Sequence, residues 1–145
     1  MAIHIQRTIS INAPPERVWA VMMDIEHWPE WTESMKSVEW LDSGEFGVGS
    51  KAKLKIRRSP SANVWTVTEL SPNRSFTWET NSGGVKGVAT HVIEPDGDSS
   101  KVTLTVELSG PVATLFGWFV GAPSRQNVEM EAEGLKRRAE ESSAS

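Results

Sequence analysis

The segment from Ala13 to Trp31 constrains the fold of this chain more than any other part of the sequence. Residues 3–11 alternate between apolar and polar and lead directly into it, which is typical of a half-buried strand. Pro14 and Pro15 suit the first turn of a helix, because proline has the required φ and the missing amide would be unpaired there. Apolar residues then recur at helical spacing until Pro29, where a continuing helix must end. The sequence therefore predicts a strand, a short helix and a tight corner flanked by tryptophans.

The composition is that of one small globular domain. A chain of 145 residues with 38% hydrophobic and 23% charged residues can bury one core of ordinary size. The absence of cysteine excludes disulfides, thiolate zinc sites and cysteine nucleophiles. The net charge of −4 argues against nucleic acid as the main partner. The first residues lack the pattern of a signal peptide and no stretch approaches the ~20 apolar residues of a membrane span, so we expect a cytoplasmic protein.

The sequence predicts seven strands and one long helix. The predicted strands span residues 3–11, 37–41, 51–57, 64–70, 75–80, 85–94 and 101–108. Because short turns join most of them, we expect an antiparallel sheet. Residues 110–141 are helical in period, and Pro123 predicts a kink or a break there. The prediction is an α+β fold, with a curved seven-stranded sheet around a long C-terminal helix and two short helices between the first two strands.

Four motifs in chain order carry a family resemblance. The first combines Ala-Pro, Val-Trp, Asp and a Trp-Pro-x-Trp corner within residues 13–31. The others are residues 65–72 leading to Phe-Thr-Trp at 76–78, residues 90–95, and Leu-Lys-Arg at 135–137. With these motifs the sequence resembles the START-like (SRPBCC) superfamily, in particular its polyketide cyclase/dehydrase and lipid-transport branch. The resemblance implies one START-like domain over residues 1–141, followed by a frayed tail over 142–145. It also implies a helix-grip fold whose hollow, between helix and sheet, holds a hydrophobic ligand.

His91 is the leading candidate for a functional side chain. Strand parity places it with Ala89 and Ile93 on the face of its strand that should point inward. An imidazole there can orient a ligand carbonyl or hydroxyl, or transfer a proton near neutral pH. The alternative is a core histidine whose ring nitrogens are satisfied by neighbouring polar groups. Sequence spacing identifies no acidic partner and no clear inward-facing Asp or Glu.

Apolar side chains from several elements are expected to line the hollow together with this histidine. The predicted ligand-binding residues are Leu54, Trp65, Phe76, Trp78, Ala89, His91, Phe119 and Asn127. Packing within the core is the alternative role for each aromatic residue among them. The Trp-Pro-Glu-Trp corner at 28–31 is predicted to be structural, with its rings stapling the short helices to the end of the sheet.

Other motifs do not predict a functional site. The glycine-rich run at 44–49 precedes a strand rather than opening a helix, so it does not support a phosphate-binding loop. The histidines at positions 4, 27 and 91 lack the spacing of metal ligands, and we expect no metal and no cofactor. Basic residues alternate over residues 51–57, and we interpret them as the solvated face of a strand rather than a surface for nucleic acid or anionic lipid.

Three functions follow from these observations. The leading hypothesis is binding or transport of a hydrophobic small molecule, such as a lipid, an isoprenoid or a polyketide-like compound, in an internal cavity. The second is an enzyme of the cyclase/dehydratase type with His91 as general acid or base, against which the shortage of inward acids and bases argues. The third is a protein-interaction module whose interior is filled by its own side chains. We expect no nucleic acid partner and no integral membrane association, and the sequence favours no particular oligomeric state.

Overall fold

The computed structural model describes residues 3–42, 45–59, 62–82 and 84–143, and for residues 82, 112–122, 142 and 143 it describes the backbone alone. Within these ranges the chain forms seven strands, two α-helices and one 3₁₀ helix. The strands are β1 (Ile3–Ile11), β2 (Met35–Trp40), β3 (Lys51–Ile56), β4 (Asn63–Ser71), β5 (Ser75–Ser82), β6 (Val85–Asp96) and β7 (Ser99–Ser109). The helices are α1 (Pro15–Met23), the 3₁₀ helix (Ile25–Glu30) and α2 (Pro111–Ser143).

The strands form a single antiparallel sheet in the order β1-β7-β6-β5-β4-β3-β2. Strands β2 to β7 pair with their neighbours in sequence, and β1 returns to pair along its whole length with β7. Tight hairpins connect β4 to β5 and β6 to β7, with Asn73 and Gly97 in the left-handed region at a φ of 62° each. The α+β prediction is confirmed, with a curved seven-stranded sheet, two short helices after β1 and a long helix at the end.

The core lies between the inner face of the sheet and the helices. Alternate residues of β6 are buried, including Ala89, His91 and Ile93, because side chains on a strand alternate between its two faces. One side of α2 forms an apolar stripe of buried residues: Val128, Ala132, Leu135 and Ala139. Among the described residues, none of the helices is both long enough and apolar enough to span a bilayer.

Helix α2 approaches the tryptophan corner very closely at Gly134. A Cβ atom at this position would lie 2.0 Å from the backbone oxygen of Trp31, so only glycine fits without movement of the helix. Nη2 of Arg137 donates a hydrogen bond to the same oxygen at 2.9 Å. Arg138 pairs with Glu30 at 3.0 Å. These contacts fix both the position of α2 and its rotation about its own axis relative to the sheet.

Helix α2 continues past both Pro123 and residue 141. Its backbone is helical without interruption from Pro111 to Ser143, so the predicted break at Pro123 is not present. A proline removes one helical hydrogen bond and crowds the preceding turn, so a kink at this position stays a prediction. The helix includes residues 142 and 143 of the predicted tail, and residues 144 and 145 lie outside the described part of the chain.

Candidate functional site

A cavity of about 130 Å³ lies between the inner face of the sheet and helix α2. Its wall comes from strands β2 to β7, from the tryptophan corner and Ser34 after it, and from one side of α2. Six of the eight predicted ligand-binding residues line it: Leu54, Trp65, Trp78, Ala89, His91 and Asn127. The side chain of Phe119 lies outside the described part of the chain. Apart from a few polar groups the lining is apolar, which is the usual character of a small-molecule site.

Phe76 was predicted to bind the ligand, but it is not among the residues that line the cavity. The side chain is fully buried on β5, directly opposite His91 on β6. Its ring stacks on the imidazole, with centroids 4.0 Å apart and an angle of 4° between the planes. Phe76 therefore supports His91 from behind instead of contacting the cavity itself.

His91 presents one ring nitrogen to the backbone and the other to a carboxylate. Its Nδ1 lies 3.3 Å from the carbonyl oxygen of Phe76, and because a carbonyl only accepts hydrogen bonds, Nδ1 carries the hydrogen. Its Nε2 lies 3.5 Å from Oε2 of Glu131. The imidazole is 3% exposed and the carboxylate 18% exposed, so both groups lie largely out of water. The imidazole and the carboxylate therefore face each other beside the cavity.

Glu131 is an inward-facing acid that sequence spacing did not identify, since it lines the cavity. It follows Ser124 and Asn127 at helical spacing on α2, and these two residues line the cavity as well. A polar row at steps of three and four beside the apolar stripe is the sequence signal that points to it. Spacing alone does not show which edge of the stripe meets the cavity, since that depends on the rotation of α2.

The tryptophan corner also takes part in the site. Trp28 lines the cavity, with its ring centroid 5.9 Å from that of His91 and 5.5 Å from that of Trp78. Its indole Nε1 donates a hydrogen bond to the carbonyl oxygen of Met22 at 3.1 Å, which fixes the ring at the end of α1. The predicted structural role therefore holds for the corner, but Trp28 adds a ring to the cavity wall that sequence reasoning did not assign.

The remaining sequence features lie on the outer surface. His4 and His27 are about half exposed and pair with Glu107 and Asp24 respectively. The hydrogen bond with Asp24 raises the pKa of His27. Residues 45–49 of the glycine-rich run form a loop and turn before β3, and residue 44 lies outside the described part. The described residues contain no group of three or more His, Cys, Asp or Glu side chains that could hold a metal ion.

Comparison with known proteins gives one family and one fold. The family model described as polyketide cyclase / dehydrase and lipid transport matches residues 2–140. A protein of Thermus thermophilus has the same fold, with a TM-score of 0.79 and 21% identity over 97% of this chain and 99% of that one. The Zhui aromatase/cyclase of a Streptomyces species has a TM-score of 0.79 and 19% identity, over 97% of this chain and 94% of that one. A START superfamily protein of Mycobacterium smegmatis has a TM-score of 0.78 and 20% identity, over 95% of this chain and 97% of that one. At these identities the likeness to the solved structures shows the fold.

Proposed function

Because the chain belongs to the polyketide cyclase/dehydrase and lipid-transport family, we propose that it binds a hydrophobic small molecule in the cavity between the sheet and helix α2. The observation that carries the proposal is the apolar cavity itself, in a position where a ligand is enclosed by the sheet, the corner and the helix. Each ~100 Å² of apolar ligand surface removed from water contributes about 2.5 kcal/mol before the cost of ordering the ligand.

The size of the cavity limits the ligand. Its volume of about 130 Å³ is close to the ~150 Å³ of an engineered apolar cavity that binds benzene. A ligand of about one ring fits without rearrangement. A longer lipid or isoprenoid chain exceeds this volume.

The first experiment fills the cavity and measures binding. Toluene is titrated against the protein, with the fluorescence of the tryptophans in the wall as the signal. Ala89→Leu places a larger side chain in the cavity, whereas Ala20→Leu makes the same change at an exposed position of α1. We expect the first variant to lose at least tenfold in affinity and the second to bind like the wild type. Equal binding by both variants, with thermal unfolding showing both folded, would contradict the proposal.

A second experiment identifies the natural ligand. Native mass spectrometry of the protein purified from its own host reports the mass of any small molecule that stays bound. A co-purifying compound with an apolar body supports the proposal and gives its chemical class. A purely polar compound in the cavity would oppose it.

A second candidate function is favoured by the contact between His91 and Glu131. A histidine with a carboxylate partner at the edge of a cavity can act as a general acid or base, which is the chemistry of a cyclase or dehydratase. The cavity volume limits such a reaction to a short poly-carbonyl substrate.

The test of this second function compares turnover with binding. We expect His91→Gln and Glu131→Gln to abolish turnover of a short poly-carbonyl compound while toluene still binds. If the wild type does not transform such compounds, the enzyme proposal fails and the binding proposal is unaffected.

A further inference from the structure

Two polar atoms in the cavity wall have no hydrogen-bond partner among the residues that the structure describes: Nε1 of Trp65 and Oδ1 of Asn127. Both atoms are shielded from solvent, and Trp65 as a whole is only 7% exposed. Both residues line the cavity. Buried polar groups in folded proteins nearly always have a partner, so a pair of unpaired atoms at one cavity points to a ligand that supplies the missing contacts.

Whether each of the two atoms is a hydrogen-bond donor or acceptor follows from its chemistry and its neighbouring contacts. Nδ2 of Asn127 donates a hydrogen bond to the carbonyl oxygen of Arg57 at 3.0 Å. Because a carbonyl only accepts, the amide cannot be turned around, and the unpaired atom is the acceptor Oδ1. The indole Nε1 of Trp65 is only a donor. The cavity wall thus offers one hydrogen-bond donor and one acceptor.

The indole of Trp65 is held in place by packing. A Cβ atom at Gly87 on β6 would lie 3.2 Å from the Cη2 atom of the ring, so the indole rests against a strand backbone that has no side chain there. The ring also packs against Trp78, with centroids 5.9 Å apart. The N–H group therefore has a fixed position, which favours recognition of a specific ligand atom over adjustment of the wall.

We propose that the ligand carries a hydroxyl group that accepts a hydrogen bond from Nε1 of Trp65 and donates one to Oδ1 of Asn127. The inference rests on the proposed binding function and narrows the ligand to a hydroxylated ring, such as a phenol or a cyclic alcohol. A carbonyl or ether oxygen accepts only and leaves Asn127 unpaired, and an ammonium group donates only and leaves Trp65 unpaired. A hydroxyl group both accepts and donates, so a single one can satisfy both atoms.

This hydroxyl site is separate from the contact between His91 and Glu131. Nδ1 of His91 already has the carbonyl oxygen of Phe76, and its Nε2 faces the carboxylate of Glu131. Asn127 precedes Glu131 by one helical turn, so the hydroxyl site and the contact between His91 and Glu131 lie next to each other along α2. A ligand anchored by its hydroxyl thus lies beside His91.

The test compares three ligands that share one methylated ring: toluene, 4-methylanisole and p-cresol. Toluene has no hydrogen-bonding group, 4-methylanisole has an acceptor, and p-cresol has both a donor and an acceptor. We expect p-cresol to bind about three- to tenfold more tightly than 4-methylanisole, which is the range for one added hydrogen bond. The affinities are measured by calorimetry on the full chain.

Two variants and one matched control assign the preference to the proposed atoms. Trp65→Phe and Asn127→Leu each remove one of the two polar groups, and both should bring p-cresol to within about twofold of 4-methylanisole. Trp28→Phe removes an indole N–H from the same cavity, but this one is already donated to Met22. The control should therefore keep the preference for p-cresol, even if its stability falls. Thermal unfolding reports whether each variant is folded, and either of the two variants is sufficient for the test.

The outcomes separate this inference from the proposed function. If toluene binds but p-cresol has no advantage over 4-methylanisole, the hydroxyl site is wrong and the apolar binding function stands. If p-cresol keeps its advantage in both Trp65→Phe and Asn127→Leu, other groups recognise the hydroxyl and the inference is overturned. If none of the three ligands binds, the binding function itself fails.

Discussion

Phe76 holds the imidazole of His91 by its ring and by its backbone at once. The two rings stack with centroids 4.0 Å apart, and the Phe76 carbonyl oxygen lies 3.3 Å from Nδ1 of the histidine. The residues are direct neighbours across β5 and β6, so the register of these strands determines both contacts. The consequence is a fixed ring whose other nitrogen points at Glu131.

The first prediction concerns the tautomer of this histidine. In the neutral ring the hydrogen should be on Nδ1, because the Phe76 carbonyl oxygen, which can only accept, lies 3.3 Å from Nδ1, closer than the 3.5 Å between Nε2 and the Glu131 carboxylate oxygen. Long-range ¹H–¹⁵N NMR correlations distinguish the two tautomers, and the His91→Gln variant identifies the signal. A neutral ring with its hydrogen on Nε2 would contradict the geometry.

The second prediction concerns the stacking contact. Phe76→Leu removes the ring that supports the imidazole but leaves the backbone carbonyl in place. We expect a loss of about 1–2 kcal/mol in the free energy of unfolding, measured by urea denaturation, from lost aromatic contact and imperfect packing. Binding of toluene should persist, since Phe76 does not line the cavity. Complete loss of toluene binding in a folded variant would show that the residue acts on the ligand directly.

The residues on the inner face of the sheet could be predicted from the sequence, whereas the residues of α2 that face the sheet could be predicted only in part. Alternation along β6 is enough to place Ala89 and His91 inside, because a strand has two faces and one is apolar. A helix presents a continuous surface, and the position of Glu131 depends on its rotation. That rotation is set by contacts such as Gly134 against Trp31, between residues far apart in the chain.

The errors in the aromatic assignments have a similar physical cause. Parity correctly directs Phe76 inward, but another inward side chain, His91, covers it. Trp28 reaches the cavity because the 3₁₀ helix brings the corner under the sheet, where its ring meets Trp78 and His91. Both outcomes depend on which of several inward-facing rings is nearest the cavity, and a strand or turn pattern contains no information about depth.

The third prediction concerns Glu140 near the end of α2. Its carboxylate accepts hydrogen bonds from Nζ of Lys136 at 2.6 Å and from the backbone amide of Asn12 at 2.8 Å, and these lower its pKa. Stability from a lowered pKa is present above the ordinary glutamate pKa and is lost as the pH falls through the lowered value. The difference in unfolding free energy between wild type and Glu140→Gln should therefore shrink towards acid pH. A difference that does not change with pH would oppose this account, and Glu141→Gln controls for the loss of a nearby surface charge.

The fourth prediction is that Gly134→Ala destabilises the fold even though alanine favours a helix. In an open helical position this change adds about 1 kcal/mol of stability. Here the new Cβ would lie 2.0 Å from the backbone oxygen of Trp31, so α2 must move away from the corner. We expect a net loss of about 2 kcal/mol or more in the unfolding free energy, since overpacking costs ~1–3 kcal/mol or more and the Arg137 hydrogen bond is strained as well.

A matched substitution and a binding measurement show whether this contact positions the site. At Gly47 a Cβ meets nothing within 4 Å, so Gly47→Ala should be close to neutral in the same denaturation experiment. A shift of α2 also moves Asn127 and Glu131, which line the cavity. Gly134→Ala should therefore weaken toluene binding, whereas Gly47→Ala should not. A stabilised Gly134→Ala variant with unchanged binding would mean that the corner does not set the position of the helix.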